Sequence, residues 1–119
     1  MKCKVLYYET VQGRCPVIEF LDSLEIDLRA KAMRDIGLLE EFGRSLQRPQ
    51  VDTIKGDRYK GLYELRSKFA SNITRIYYFY IQGDKAILLH GILKKSGKPP
   101  QRDLETARSR MKDAQERGL

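Results

Sequence analysis

Residues 59–93 read YKGLYELRSKFASNITRIYYFYIQGDKAILLHGIL, and this segment carries the clearest structural pattern in the chain. Residues 59–68 alternate between two faces, and residues 73–81 are rich in aromatic and β-branched side chains. Residues 86–93 form a nearly continuous apolar run, as expected for a strand covered on both faces. The polar turns between them are short, and short turns join antiparallel neighbours. The segment therefore predicts a three-stranded antiparallel meander.

The chain before this segment predicts one strand and two helices. Residues 4–10 are rich in Val and Tyr and predict a strand, and residues 16–24 predict a short amphipathic helix that begins with proline. Asp27 is placed to cap a second, longer helix, which is expected to stop at Gly43. Residues 44–54 contain a proline and no sustained period, so they predict a loop.

The chain after the meander predicts a basic loop over residues 94–100 and a last helix over residues 103–117, with Asp103 as its cap. The order strand, two helices, meander, helix indicates an α+β fold, because each helix must bury its apolar stripe against the sheet. We expect an antiparallel sheet, made of the N-terminal strand and the meander, packed with the two N-terminal helices and the C-terminal helix. Residues 1–119 are expected to form a single domain.

Composition excludes several classes of protein. Hydrophobic residues make up 41% and charged residues 33%, which is typical of a folded domain rather than a disordered chain. The longest aliphatic run, residues 86–89, is too short for a membrane span, and the N-terminus lacks an apolar signal-peptide core. We therefore expect a cytoplasmic protein with no membrane partner. Two cysteines and one histidine argue against a disulfide framework and against a Cys/His zinc site.

The positive charge is concentrated in one part of the chain. The net charge is +7, and residues 55–102 alone hold eleven basic and three acidic residues, a net +8. Such a segment favours a polyanionic partner, with nucleic acid first and an anionic membrane surface second. The alternative is that these charges simply keep exposed strand faces soluble.

Within this segment, several bases are predicted to converge. Arg66 ends the first strand of the meander, Arg75 begins the second, and Lys94 and Lys95 end the third, while Lys55 leads into the first. In an antiparallel meander the end of the first strand, the start of the second and the end of the third lie at the same end of the sheet, and Lys55 is expected to join them from the loop. Converging cations can neutralise a phosphodiester and stabilise the extra charge of its transition state. The alternative is that each base is merely exposed.

Other kinds of site have little support. The chain has neither a Walker-type nor a dinucleotide-binding glycine motif. A Ser–His–Asp triad would need His90, which lies in the apolar third strand and is more typical there of a packed, hydrogen-bonded core residue. No carboxylate pair stands out.

Three motifs in this order resemble the RelE/ParE superfamily of bacterial toxins, and within it the HigB-like, phage-related branch: GLYELR at 61–66, RIYYF at 75–79 and ILLHGILKK at 87–95. The resemblance implies a compact RelE-like α+β fold and the toxin of a type II toxin–antitoxin system. Such a toxin enters the ribosomal A site and cleaves mRNA. It uses the RNA 2′-hydroxyl as nucleophile, so it needs no metal or other cofactor. The implied partners are a cognate antitoxin, often a helix-turn-helix protein, and the ribosome with its mRNA.

The resemblance also implies roles for individual residues. Arg66 resembles the arginine that clamps the scissile phosphate, and Lys55 the lysine that contacts RNA or helps to activate the hydroxyl. Lys94 or Lys95 resembles the base that stabilises the leaving oxygen, and Arg75 is expected to bind phosphate or ribosomal RNA. Further nucleic-acid contacts are expected from the remaining bases of the segment, namely Arg58, Lys60, Lys68 and Lys98.

The chain departs from the family pattern in one respect. Many relatives carry a C-terminal tyrosine or histidine for proton transfer, and this chain has neither after His90. A lysine, or His90 turned towards the site, would then have to move the proton. The departure leaves two alternatives open: a ParE-like inhibitor of DNA gyrase, and a catalytically inactive toxin fold that binds nucleic acid.

Overall fold

The computed structural model describes residues 2–94 and 97–119. Two short 3₁₀ turns lie at Gly43–Ser45 and Asp57–Tyr59. Along the chain the main elements are β1 (Lys4–Tyr7), α1 (Pro16–Asp22), α2 (Ile26–Phe42), β2 (Val51–Thr53), β3 (Tyr63–Phe69), β4 (Asn72–Ile81), β5 (Lys85–Lys94) and α3 (Gln101–Glu116). None of the helices among these described residues combines the length and the apolar character that crossing a membrane would require.

The five strands form one mixed sheet in the order β1-β5-β4-β3-β2. The predicted meander is confirmed, because β3, β4 and β5 pair antiparallel in sequence order. The expectation of a wholly antiparallel sheet is wrong at one edge, where β1 runs parallel to β5. Parallel pairing needs a long crossover between the strands. Here the chain from α1 to β4 supplies that crossover. No local pattern in β1 indicates that the strand pairs in the parallel direction.

The predicted loop over residues 44–54 contains a strand that sequence periodicity missed. Val51 to Thr53 pair antiparallel with Leu65 to Tyr63 and extend the sheet beyond the meander. Three residues are too few to show a period of two. This strand matters for the site, because Lys55 follows it directly.

The apolar core lies on both faces of the sheet. Successive residues of β4 alternate between the two faces, so that Ile76 and Tyr78 pack with α1 and α2 while Tyr77 and Phe79 pack with α3. All four are at most 2% exposed. The aromatic run in β4 is therefore explained by burial on both sides, which is what a central strand requires.

The observed helix caps precede the predicted ones by two residues in α2 and by three residues in α3. Glu25 and Pro100 occupy the N-cap positions of α2 and α3, and neither makes a side-chain cap hydrogen bond. Asp27 and Asp103 lie instead in the first turns, where a carboxylate still favours the positive end of the helix dipole. Asp103 makes a tertiary contact described below.

Gly91 of β5 marks the closest approach between a helix and the sheet. A Cβ atom built on Gly91 would lie 2.3 Å from Cδ2 of Phe20 in α1. We expect Gly91→Ala to lower the free energy of unfolding by about 1–3 kcal/mol, because the packed ring has to move. In α2, a Cβ on Gly37 would meet nothing within 4 Å, so Gly37→Ala should be neutral or stabilising by up to about 1 kcal/mol. Urea unfolding of both variants measures the difference, and equal midpoints would contradict it.

Candidate nucleic-acid interface

A cleft of about 410 Å³ opens between β2, β3 and the start of α3. We call it the basic cleft. The residues that give it its chemistry are Asp52, Lys55, Glu64, Arg66, Arg75 and Lys98. Four of the bases predicted from the sequence therefore line one cleft.

The two arginines are placed by the register of the hairpin. Arg66 of β3 is the direct cross-strand partner of Arg75 of β4. Directly opposed residues project from the same face of a sheet, and two like charges in that position destabilise it unless something compensates. The compensating group is Glu64, which precedes Arg66 by two residues and lies on the same face of β3.

Glu64 is a buried carboxylate shared between the two arginines. One oxygen accepts a hydrogen bond from Arg75 Nη1 at 2.9 Å, and the other lies 3.7 Å from Arg66 Nε. Sequence reasoning missed this residue, although its two-residue spacing from Arg66 in an alternating strand placed both on one face. Glu64 offsets part of the positive charge and holds both guanidinium groups in register.

Arg75 and Arg66 differ sharply in accessibility. The Arg75 side chain is 7% exposed, and its Nη2 donates to the Gly97 carbonyl at 2.8 Å, which ties the segment before α3 to the sheet. The Arg66 side chain is one-third exposed. Of the two arginines expected to bind phosphate, Arg66 is thus the one that a ligand can reach, whereas Arg75 is engaged inside the protein.

The predicted lysines border the same region from two directions. Lys55 is exposed just after β2, and Lys98 is exposed on the far wall. Lys94 ends β5 opposite Ile73, and its side chain lies beside Gly97, which lines the cleft, although Lys94 is not itself among the lining residues. Lys95, the alternative to Lys94 in the sequence-based assignment, lies outside the described residues.

Arg58 does not join this group. Its guanidinium forms two hydrogen bonds with Glu105 of α3, at 2.7 and 2.6 Å, and the Tyr59 hydroxyl donates to the same carboxylate. The hydrogen bonds from Arg58, which have the largest effect, and from Tyr59 lower the pKa of Glu105 to about 2. Arg58 therefore fastens α3 to the turn before β3. Lys60 is exposed in that turn, and Lys68 lines a different cleft.

His90 also lies away from Arg66, in a third cleft bordered by Arg14, Glu19 and Arg110. Its Nδ1 is 3.1 Å from Arg110 Nη1, and its Nε2 is 2.8 Å from Asp103 Oδ1. Arginine can only donate, so Nδ1 of His90 accepts a hydrogen bond from Arg110. Nε2 then carries the ring proton and donates a hydrogen bond to Asp103. The basic cleft, as far as its described residues show, is lined by neither histidine nor tyrosine.

One protein-family model matches most of this chain. Residues 19–112, which include Glu64, both cleft arginines and all of β2 to β5, match the model of a family described as phage-derived protein Gp49-like (DUF891). The chain belongs to the Gp49-like family. This is a family of RelE-like toxins, which are generally components of toxin–antitoxin systems. The resemblance seen in the sequence is confirmed at that level. No curated protein matches the Gp49-like chain significantly.

Asp52 supplies a second carboxylate to the cleft of this Gp49-like protein. Burial by itself would raise the pKa of Asp52, but the Thr53 backbone N–H and the Arg48 guanidinium both bind the carboxylate and hold its pKa below the ordinary value. Asp52 is therefore an anion at neutral pH, close to the exposed Lys55. It can orient a lysine or accept a hydrogen bond from a ligand hydroxyl.

The His90 network predicts a dependence of stability on pH. Burial lowers the pKa of His90 below 6.5, the Asp103 hydrogen bond opposes this, and the Arg110 charge lowers it further. The unfolded chain therefore takes up a proton near pH 6.5, and the folded chain does so only at lower pH. Since the unfolded state binds more protons, the free energy of unfolding falls as the pH drops below about 6.5, by at most about 1.4 kcal/mol per pH unit.

Thermal unfolding between about pH 7 and pH 5.5 measures this loss. His90→Gln should lose less stability across that range, because the chain contains no other histidine. Parallel pH profiles for the variant and the native protein would contradict the prediction.

Proposed function

We propose that this Gp49-like protein is the toxin of a type II toxin–antitoxin system, of the HigB-like branch, and that it cleaves mRNA on the ribosome. The observation that supports the proposal is the basic cleft, in which the accessible Arg66 stands among Lys55 and Lys98 above the buried Glu64–Arg75 pair. In this proposal residues 1–119 act as one RelE-like domain in the cytoplasm.

The proposed role of Arg66 is to clamp the scissile phosphate. A guanidinium can present two parallel N–H donors to a phosphate, and its charge becomes more valuable as negative charge develops in the transition state. Glu64 lies on the Nε side of Arg66, at 3.7 Å, which leaves the terminal nitrogens for the ligand. An arginine that is already oriented before binding loses less conformational entropy when it meets the phosphate.

In the proposed reaction the RNA 2′-oxygen attacks the adjacent phosphorus. A bond forms between the 2′-oxygen and phosphorus, and the bond from phosphorus to the 5′-oxygen breaks. The products are a 2′,3′-cyclic phosphate and a 5′-hydroxyl, so the hydroxyl proton is lost and one proton is gained by the leaving oxygen. We assign Lys55 to the attacking hydroxyl and Lys94 or Lys95 to the leaving oxygen. The proposal invokes no cofactor.

The remaining bases divide into two groups in this proposal. Lys60, Lys68 and Lys98 are exposed and contact RNA phosphates. Arg58 is paired with Glu105 on the surface and Arg75 with Glu64 in the interior, so in this proposal both arginines hold the elements around the cleft in place. His90, held between Asp103 and Arg110, is not assigned a role in proton transfer.

Membership in a toxin–antitoxin family points to an antitoxin partner. We propose that the antitoxin is a helix-turn-helix protein that masks the basic cleft with acidic side chains, since the segment that lines the cleft carries the excess positive charge. The ribosome and its mRNA are the proposed targets of the free toxin.

Primer extension on a defined mRNA in a purified translation system tests the proposal. We expect new ends within the reading frame only when ribosomes are translating, and none with Arg66→Ala. Arg34→Ala, which removes an exposed arginine of α2 away from the basic cleft, is the matched control and should cleave like the native protein. Intact mRNA at high concentrations of native protein would overturn the proposal.

One observation favours a second candidate, a ParE-like inhibitor of DNA gyrase that carries out no chemistry. The described lining of the basic cleft offers neither histidine nor tyrosine for proton transfer. This candidate predicts inhibition of gyrase supercoiling with mRNA left intact. Supercoiling that is unaffected by excess protein would remove it.

A further inference from the structure

Arg66 borders a second cleft on the side away from Lys55. This cleft has a volume of about 270 Å³ and is lined by Lys31, Pro49, Gln50, Arg66, Lys68 and Ile73. We call it the corner cleft. Lys31 belongs to α2 and Gln50 to the segment before β2, so both lie outside the strongly basic segment of residues 55–102.

The shortness of β2 explains why one arginine can reach both clefts. β2 begins at Val51, which pairs with Leu65, and the Arg66 backbone N–H donates to the Gln50 carbonyl at 2.7 Å. Beyond this point β3 is the edge of the sheet. Arg66 therefore stands at a corner, where its side chain borders the basic cleft on one side and the corner cleft on the other.

Lys31 is held in a fixed position at the corner cleft. Its ammonium donates to both carboxylate oxygens of Asp35, at 2.9 and 2.8 Å, and Asp35 is fully buried. An ammonium has three donors, so two are used by Asp35 and one is left for a ligand. The pair is neutral as a whole, but it presents an oriented N–H beside the charges of Arg66 and Lys68.

The spacing of the bases suits consecutive phosphates. Arg66 and Lys68 are two residues apart on β3, so their backbone positions are separated by about 6.6 Å along the strand. Successive phosphates of an extended single strand are separated by a comparable distance. Pro49 and Ile73 add an apolar wall, against which a ribose or the face of a base can pack.

We propose that the corner cleft binds the nucleotide next to the scissile phosphate of a single-stranded RNA. Arg66 holds the phosphate at the boundary, and Lys31, Gln50 and Lys68 hold the phosphate that follows it. The inference rests on the proposed function for the identity of the RNA in the basic cleft. It adds a subsite that sets the path and direction of the strand across the protein.

Fluorescence anisotropy with 2′-O-methyl RNA, which lacks the nucleophilic hydroxyl, tests the subsite without cleavage. The probes are one short oligonucleotide and the same oligonucleotide lengthened by one nucleotide at either end. We expect lengthening at one end only to strengthen binding by the native protein. We also expect Lys68→Ala to abolish this gain and to reduce the slope of log affinity against log salt by about 0.7, the value for one phosphate on a single strand.

The variants are chosen to separate binding from folding. Lys31→Ala would leave Asp35 buried and unpaired, so the pair is removed together as Lys31→Met with Asp35→Leu, a kind of exchange that is often neutral for stability. This double variant should also lose the gain from lengthening. Lys4→Ala is the control. It removes an exposed lysine of β1, the strand at the opposite edge of the sheet, and should keep the gain in affinity from lengthening.

Two results would overturn the inference: native protein that binds none of the oligonucleotides, or an unchanged gain and salt slope in both corner-cleft variants. The mRNA cleavage assay is read separately. Cleavage together with unchanged oligonucleotide binding in the variants would reject the subsite and keep the proposed function. Intact mRNA together with the expected binding pattern would reject the nuclease and keep the subsite as a site for single-stranded RNA.

Discussion

Replacing Arg66 with alanine is expected to abolish growth inhibition by this Gp49-like toxin while leaving its fold intact. The Arg66 side chain is one-third exposed, and its contact with Glu64 is long, at 3.7 Å, so its removal disturbs little packing. The proposed reaction loses the group that binds the phosphate and stabilises its transition-state charge. Losses of at least about 100-fold in rate are typical when one such donor is removed.

Growth after induced expression measures the effect, and thermal unfolding of the purified variant checks the fold. Arg34→Ala is again the matched control, because it removes an exposed arginine with the same change in charge. Undiminished toxicity of Arg66→Ala at equal expression would show that the site has been assigned wrongly. A variant that unfolds at a much lower temperature would instead assign Arg66 a structural role.

Glu64→Ala is expected to produce the largest loss of stability among single substitutions in the site. Glu64 is 4% exposed, and its carboxylate accepts from the Arg75 guanidinium at 2.9 Å. Without it, a buried cation faces Arg66 across the strands with no compensating charge. Breaking a buried ion pair from one side costs about 3–5 kcal/mol, which lowers the Tm of a domain of this size by roughly 12–20 °C.

A second variant separates stability from function. Glu64→Leu combined with Arg75→Met removes both charges. This double variant should recover most of the lost stability, because it leaves no buried charge without a partner. It should remain non-toxic, since Arg66 loses its neighbour and Gly97 loses the hydrogen bond from Arg75. Glu41→Ala, at an exposed position near the end of α2, is the control and should unfold like the native protein. A native-like Tm for Glu64→Ala would contradict the assignment of this pair.

The main elements of the fold could be predicted from local pattern. The alternation and short turns of residues 59–93 predicted β3, β4 and β5 in the correct order, and the helical spacing of apolar residues predicted all three helices. The same hairpin logic correctly placed Arg66 beside Arg75. Two features escaped. β2 is too short to show a period, and the parallel pairing of β1 with β5 depends on partners about 80 residues apart in the chain.

The site was only partly predictable, because its bases compete for acidic partners. The sequence-based expectation placed Arg66 at the scissile phosphate and gave Arg58 and Arg75 contacts with nucleic acid as well. In the folded protein Arg58 forms a close ion pair with Glu105 and Arg75 forms one with Glu64, whereas Arg66 is one-third exposed and lies 3.7 Å from Glu64. Which arginine is left for a ligand depends on where each carboxylate lies in space, and Glu105 is 47 residues away from Arg58 along the chain.

The sequence by itself determined the order of the elements, the two faces of the first meander strand and the end of the sheet at which the bases gather. These follow from periodicity and hairpin closure, which act over a few residues. Only the tertiary structure decided that Arg75 is buried, that His90 is held between Asp103 and Arg110, and that Arg66 stands at a corner between two clefts. These depend on how α3 packs on the sheet and on where β2 begins, and such packing is set by many weak contacts between distant residues rather than by any local pattern.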